Sequence, residues 1–212
     1  IRSNYRYAIA CPTSMGVRIT PEDRMAVHNS KRFIMQATSA ESNVLNVSSS
    51  LGKECLVLSK FIKGSPIAEF IKSELRARNI RYEGTEVEQG GPWGYRHQFN
   101  IADSGYGSRG PRVCNDRAGE VGRTLNIKDF DLERIFGQEG VGILHLSGLI
   151  GALSHDGDAH LVDNGLELGG GQIGTEALDD GSARSVPHTV HQKQLSAEFA
   201  PLFERDIQNH KP

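Results

Sequence analysis

The sequence predicts an α/β protein built on parallel strands, and three observations lead there. Residues 54–60 (Glu-Cys-Leu-Val-Leu-Ser-Lys) form a strand-like apolar run between two segments of helical period. Ser65-Pro66 opens the second of these segments in the preferred N-cap and N1 order. A further apolar run at 142–146 (Gly-Ile-Leu-His-Leu) returns the chain to strand after a long glycine-rich excursion. Strands alternating with helices favour crossover connections, which join parallel neighbours in a sheet covered by helices.

Residues 15–19 (Met-Gly-Val-Arg-Ile) predict a short strand that Thr20-Pro21 closes. Residues 33–36 lead into a helix over 39–51, with Val44, Val47 and Leu51 as its apolar face and Gly52 at its C-terminus. The helix that starts at Ser65-Pro66 has the face Ile67, Phe70, Ile71 and Leu75 and ends near Asn79. The texture changes after Glu83. Gly90-Gly-Pro-Trp-Gly94 is a turn cluster in which Trp93 reads as a packed loop anchor. Residues 95–102 and 112–115 read as two strands joined by the glycine-rich loop 104–111, an antiparallel hairpin projecting from the main sheet. A short helix is expected over 129–136, then the returning strand at 142–146.

Composition narrows the function classes. The 212 residues are 37% hydrophobic and 24% charged with a formal net charge of −2, a balance that carries no signature for nucleic acid or an anionic membrane. The most apolar stretch, 141–153, contains His145, Ser147 and several glycines and is too short to span a bilayer. Cys11, Cys55 and Cys114 form no Cys-x-x-Cys pair, so zinc and redox motifs are unsupported and a reducing, cytoplasmic setting is expected. The chain starts Ile1-Arg-Ser-Asn, with neither an apolar signal core nor an initiator Met, so its first residue need not be the first of its gene.

Four stretches, taken in order, resemble the ribokinase-like (PfkB-type) carbohydrate kinases. Thr38-Ser-Ala-Glu-Ser-Asn43-Val stands where that family has Gly-Gly-x-x-x-Asn, and the segment 63–80 is similar to its turn-plus-helix element. Asn115-Asp-Arg-Ala-Gly119 is similar to the element that completes the lid in members acting on sugar acids. Ile143-Leu-His-Leu-Ser-Gly148 is similar to the strand that ends beside the sugar. The wording is nearest to 2-keto-3-deoxygluconate kinases and covers about residues 5–153. The resemblance implies a three-layer α/β sandwich with a small β lid, whose strands fall near 12–20 and 93–116, and a domain boundary near residue 153. It implies ATP and Mg²⁺ as cofactors, a sugar acid as the small-molecule partner, and homodimerisation through the lid strands. Where the family has a di-glycine this chain has Thr38-Ser39, and a Cβ there narrows the approach of backbone to a sugar.

Phosphoryl transfer asks a protein mainly for positioning and charge stabilisation. By resemblance, the positioning residues are Asn43, whose amide both donates and accepts, and Arg117, a planar fork suited to a carboxylate, unless it merely pairs with Asp116 or Glu120. Gly119 would let the chain turn close to the ligand, Ser14 and Ser39 lie where strand ends meet it, and Arg96 and Gln98 lie on the lid strand. Tyr95 reads equally as a core residue. No catalytic residue can be assigned, because the family's Gly-Ala-Gly-Asp segment, with its base and anion hole, does not occur in these 212 residues. The half of the fold that binds ATP is therefore expected to be incomplete.

Residues 154–212 read as a glycine-rich tail with one helix-like stretch over 194–209. Gly169-Gly-Gly171-Gln-Ile-Gly174 matches G-x-G-x-x-G but is followed too soon by Asp180-Gly181 for a dinucleotide fingerprint. His155, His160, His188 and His191 read as solvated loop histidines, so no metal site is expected. Two other accounts stay open: a catalytically incompetent relic serving as a sugar-binding or dimerisation module, and a tail read in a shifted frame.

Overall fold

The computed structural model describes residues 4–147, so the expected tail, its G-x-G-x-x-G and its histidines lie outside the described residues. The element order is β1 (Tyr7–Pro12), β2 (Gly16–Pro21), β3 (Phe33–Thr38), α1 (Ala40–Ser50), β4 (Cys55–Leu58), β5 (Phe61–Ile62) and α2 (Pro66–Ala77). It continues with β6 (Ile80–Glu83), β7 (Glu86–Val87), β8 (Gln98–Asp103), β9 (Arg112–Asp116) and β10 (Val141–Leu144).

The main sheet has the order β10-β1-β4-β6, and every neighbouring pair in it is parallel. Its two faces are legible in the alternation along β1 and β4. Ile9, Cys11, Cys55 and Val57 face a core completed by Leu45 of α1 and by Ala68, Ile71 and Leu75 of α2. Ala10, Leu56 and Leu58 face the opposite way, against Phe130, Leu132, Ile135 and Phe136, and Tyr7 at the start of β1 packs with that cluster. A sheet covered on both faces is the expected consequence of crossover connections. It is also why β1, Tyr-Ala-Ile-Ala-Cys-Pro, escapes a periodicity reading: with both faces buried, the polar alternation that marks a strand is missing.

The α2 segment forms as its sequence dictates. Ser65 accepts a hydrogen bond from the Ala68 amide, Pro66 takes the first helical position, and Ile71 and Leu75 are buried. The helix α1 forms within its expected bounds but turns a different face inward. Val44, Val47 and Leu51 are exposed, while Glu41, Ser42, Leu45 and Ser49 are buried. Both sets have helical spacing. The choice falls to Glu41, whose carboxylate accepts hydrogen bonds from Thr13 Oγ1 at 2.6 Å and from Ser147 Oγ, which draws this polar side of the first turn inward.

The second sheet has the order β3-β2-β8-β9, with β2 and β8 parallel and the outer pairs antiparallel. The predicted hairpin is thus present as β8 and β9, and it belongs to a four-stranded lid. Residues 33–36, taken as a lead into α1, are part of the lid strand β3, and Pro12 ends a main-sheet strand rather than a lid strand. The single helix expected over 129–136 is replaced by a 3₁₀ turn at Ile127–Asp129 and a π-type turn at Glu133–Glu139. Trp93 is no packed anchor: it is 98% exposed, on a turn closed by its own backbone bonds, Gly94 N to Gly91 O and Tyr95 N to Gln89 O. Tyr95 is likewise exposed rather than in the core.

Candidate functional site

The lid grows directly out of the main sheet. Between β1 and β2 only Thr13, Ser14 and Met15 intervene, and all three are buried. The Thr13 amide donates to Leu58 O at 2.9 Å and Thr13 O accepts from Ser59 Oγ at 2.7 Å, so this loop is pinned where β1 and β4 end. Candidate residues that are remote in sequence meet here.

Register assigns the lid its faces. Val17, Ala37 and Phe99 are paired neighbours and join the core beneath the lid. The opposite face carries Gly16 paired with Thr38 and Gln98, and Arg18 paired with Gln36 and Asn100. Arg18 Nε donates to Asn100 Oδ1 at 2.9 Å, and Asn100 Nδ2 donates to Asn115 Oδ1, so a polar row crosses β2, β8 and β9. Arg18, Asn100 and Asn115 were not foreseen as site residues. Extending the alternation Arg96, Gln98 by one step reaches Asn100, which is the signal that could have found it.

Gln98 is buried and donates Nε2 to the Ser14 carbonyl at 3.3 Å. Its Oε1 and the Ser14 Oγ are buried without a hydrogen-bond partner. Buried polar side-chain atoms are nearly always satisfied, so two orphans in hydrogen-bonded residues suit a ligand rich in hydroxyls. A Cβ at Gly16 would overlap Gln98, and a Cβ at Gly122 would overlap Ser14; glycine is what lets these segments close together.

A second group lies on the segment after β9. Arg96 is ion-paired with Asp116 and donates Nε to Ala118 O at 2.6 Å. Its amide donates to Gly119 O at 2.9 Å and its carbonyl accepts from the Val121 amide at 2.8 Å. Gly119 has φ +66, where a side chain would be strained. Arg117 Nη1 contacts the buried Glu120 carboxylate at 3.1 and 3.4 Å. Ser39 is buried and accepts from the Ser42 amide at 2.9 Å as N-cap of α1, while Asn43 on the same first turn is exposed. The structure therefore brings Ser14, Gln98 and the strand end before Ser39 together, brings Arg96, Arg117 and Gly119 together, and leaves Asn43 facing solvent.

His97 sits behind the lid strand. Its Nδ1 lies 3.0 Å from Met15 O and its Nε2 accepts from the Ile62 amide at 3.4 Å, which assigns the proton to Nδ1. Burial, with the nearby Lys72 ammonium, holds its pKa below the ordinary histidine value. Burial also pushes the Cys11 thiol up, so Cys11 is an inert packing group.

Among the described residues no group of three or more His, Cys, Asp or Glu side chains could hold a metal ion. No helix among them is long and apolar enough to cross a membrane. An open groove of about 440 Å³ between the ends of α1 and α2, lined by Asn46, Ser49 and Arg78 among others, shares no residue with the candidate site.

A three-layer α/β unit whose first strand runs straight into a four-stranded lid is the fold of the ribokinase-like, PfkB-type carbohydrate kinases. Among solved structures it is similar to a protein of Enterococcus faecalis assigned as a 2-keto-3-deoxygluconate kinase, at 22% identity and TM-score 0.60 over 72% of this chain and 43% of that one. It is similar also to 2-dehydro-3-deoxygluconokinase of Thermotoga maritima, at 21% identity and TM-score 0.59 over 69% of this chain and 42% of that one. A PfkB family carbohydrate kinase of Listeria grayi matches at 21% identity and TM-score 0.59, over 69% and 43% of the two chains. This chain thus spans less than half the length of the kinases it matches. No protein-family model and no curated protein matches the sequence.

Proposed function

We propose that this chain forms the acceptor-binding part of an ATP-dependent carbohydrate kinase, cradling a sugar between the lid and the strand ends of the main sheet. The observation that carries the reading is the pair of buried, unpartnered polar atoms, Ser14 Oγ and Gln98 Oε1, where lid and sheet meet. Hydroxyl groups of a sugar would satisfy both, and the cost of leaving such atoms unpaired is recovered only when a ligand is present. Arg18, Asn100, Arg96 and Arg117 would bind the remainder of the sugar, with Ser39, Asn43 and Gly119 at its edge. The sequence resemblance would extend this to a sugar acid such as 2-keto-3-deoxygluconate, with Arg117 donating to its carboxylate.

ATP and Mg²⁺ enter through the likeness in fold to carbohydrate kinases. The 212 residues contain no Gly-Ala-Gly-Asp segment, so the chain by itself is expected to bind sugar and not to turn over ATP. Ile34, Met35 and Val113 are exposed on the lid strands, and this apolar exposure supports pairing of two copies through their lids. The free thiols of Cys11, Cys55 and Cys114 favour a reducing, cytoplasmic setting.

Calorimetric titration of the purified chain with sugars, beside a coupled assay for ADP release, tests the reading. Millimolar or tighter sugar binding without ADP release is expected. Absence of any carbohydrate binding would remove the sugar-cradle reading, and sugar-dependent ADP release would remove the claim that the chain is inactive alone.

A further inference from the structure

The cation that the resemblance offers to a sugar-acid carboxylate is already matched inside the chain. Arg117 Nη1 contacts both oxygens of Glu120, at 3.1 and 3.4 Å, and the Glu120 side chain has no exposed surface, whereas Arg117 keeps 33% of its own. A carboxylate out of water has to retain its counter-charge, because an unpaired buried ion is strongly unfavourable. Arg117 is therefore not free to leave Glu120 for a ligand. Backbone holds the pair in place: the Glu120 amide donates to Arg117 O at 3.2 Å, and residues 119–121 are hydrogen-bonded to Arg96 on both sides.

The rest of this segment is balanced in the same way. Arg96 is paired with Asp116, and Arg123 on the following turn is engaged as well. Arg96, Arg117, Asp116 and Glu120 together carry no net charge. Glu120 uses only the Nη1 end of the guanidinium, and a guanidinium has further N–H donors along its Nε and Nη2 edge. A hydroxyl or carbonyl oxygen accepts from that edge without electrostatic penalty. A ligand carboxylate placed there would share one cation with Glu120 and be repelled by it in a partly desolvated site.

We infer that Glu120 is a specificity-determining residue, and that the carbohydrate accepted under this lid is an uncharged ketose or polyol rather than a sugar acid. The inference rests on the sugar-cradle reading and replaces its sugar-acid extension.

The test is titration calorimetry of the full chain with two ligands on one carbon skeleton: 2-keto-3-deoxygluconate, and 3-deoxy-D-fructose, which has a hydroxymethyl group in place of the carboxylate. The neutral ketose is expected to bind about tenfold more tightly or better, as one charge repulsion of ordinary size implies. Glu120→Gln, which keeps an acceptor for Arg117 and removes the charge, should tighten the acid about tenfold and leave the neutral ketose within about twofold. Equal or tighter binding of the acid by the unaltered chain overturns the inference while leaving the sugar cradle standing. An acid affinity unchanged in a folded Glu120→Gln also overturns it. If neither ligand binds, the sugar-cradle reading falls, and the inference with it. The ratio in the unaltered chain decides the matter should the variant fail to fold.

Discussion

The Gln98 Nε2 amide donates to the Ser14 carbonyl at 3.3 Å across 84 residues of sequence, and the opposite end of the same amide, Oε1, has no partner. One half of this side chain thus ties the lid strand β8 to the loop leaving β1, and the other half is left with an unmet hydrogen bond. A side chain satisfied on one side only is costly for folding and useful for binding.

Gln98→Met removes both at once, and stability and binding then read the two roles separately. The substitution keeps the length of the side chain packed over Gly16 and removes its polar atoms, including the orphaned Oε1. Thermal unfolding is expected to change by no more than about 1 kcal/mol in either direction. Sugar affinity should fall about tenfold or more, since a ligand hydroxyl would lose its partner. A variant that binds sugar as well as the parent chain would show that Gln98 is only a strut.

Gly122 approaches Ser14 so closely that a Cβ would overlap both its side chain and its Cα. Gly122→Ala should destabilise by about 1–3 kcal/mol, the usual range for overpacking where backbone has to move. Gly110, with open space around its ideal Cβ, supplies the control. Urea denaturation of the two alanine variants should separate them clearly; equal midpoints would contradict the close approach.

Ser39 and Ser42 form a reciprocal capping box at the start of α1, with bonds of 2.9 and 3.1 Å. Ser39→Ala is expected to cost about 1 kcal/mol, and Ser39→Asp, another good N-cap, to retain most of the stability. Denaturation midpoints check this. If the aspartate variant is as stable as the parent yet binds sugar less well, Ser39 contributes to the ligand site as well as to the helix.

The buried His97 predicts a pH dependence of stability. Its folded-state pKa lies below the ordinary histidine value of 6.5, chiefly through burial, so at mildly acidic pH the unfolded chain binds more protons than the folded one. The stabilisation is complete above about pH 6.5 and is lost progressively as pH falls from there toward the folded-state value. Lys72, which adds to the effect, is paired with Glu69 and Glu86 and stays charged throughout this window. His97→Gln should flatten the stability profile between about pH 5 and 7. Denaturant melts at several pH values decide it; an identical slope in the variant would mean the proton uptake lies elsewhere.

Local chemistry made much of the scaffold legible. The Ser65-Pro66 start of α2, the buried run at β4, the glycine-rich hairpin of β8 and β9 and the returning β10 each announce themselves through caps, turns or apolar runs of a few residues. The candidate site was legible only where a motif or a strand alternation pointed to it, as for Gln98 and Arg117. Asn100 lies one step further along that alternation and Glu120 three residues from Arg117, whereas Arg18 carries no such mark, because what gives it meaning is the residue opposite.

The amino-acid order by itself determined where α1, α2, β4, β8 and β9 form, since those depend on neighbours within one or two turns, and it determined the likeness to a kinase through four short stretches in sequence. Tertiary structure alone decided that α1 buries Glu41 and Leu45 in preference to Val44 and Val47, because only the packed sheet supplies Thr13 and Ser147 as donors to that carboxylate. It also decided that residues 33–38 complete a lid, and that Arg117 arrives already neutralised by Glu120. Each of these turns on a hydrogen bond or charge that gains its strength by leaving water, and how far a group leaves water is settled by the whole fold.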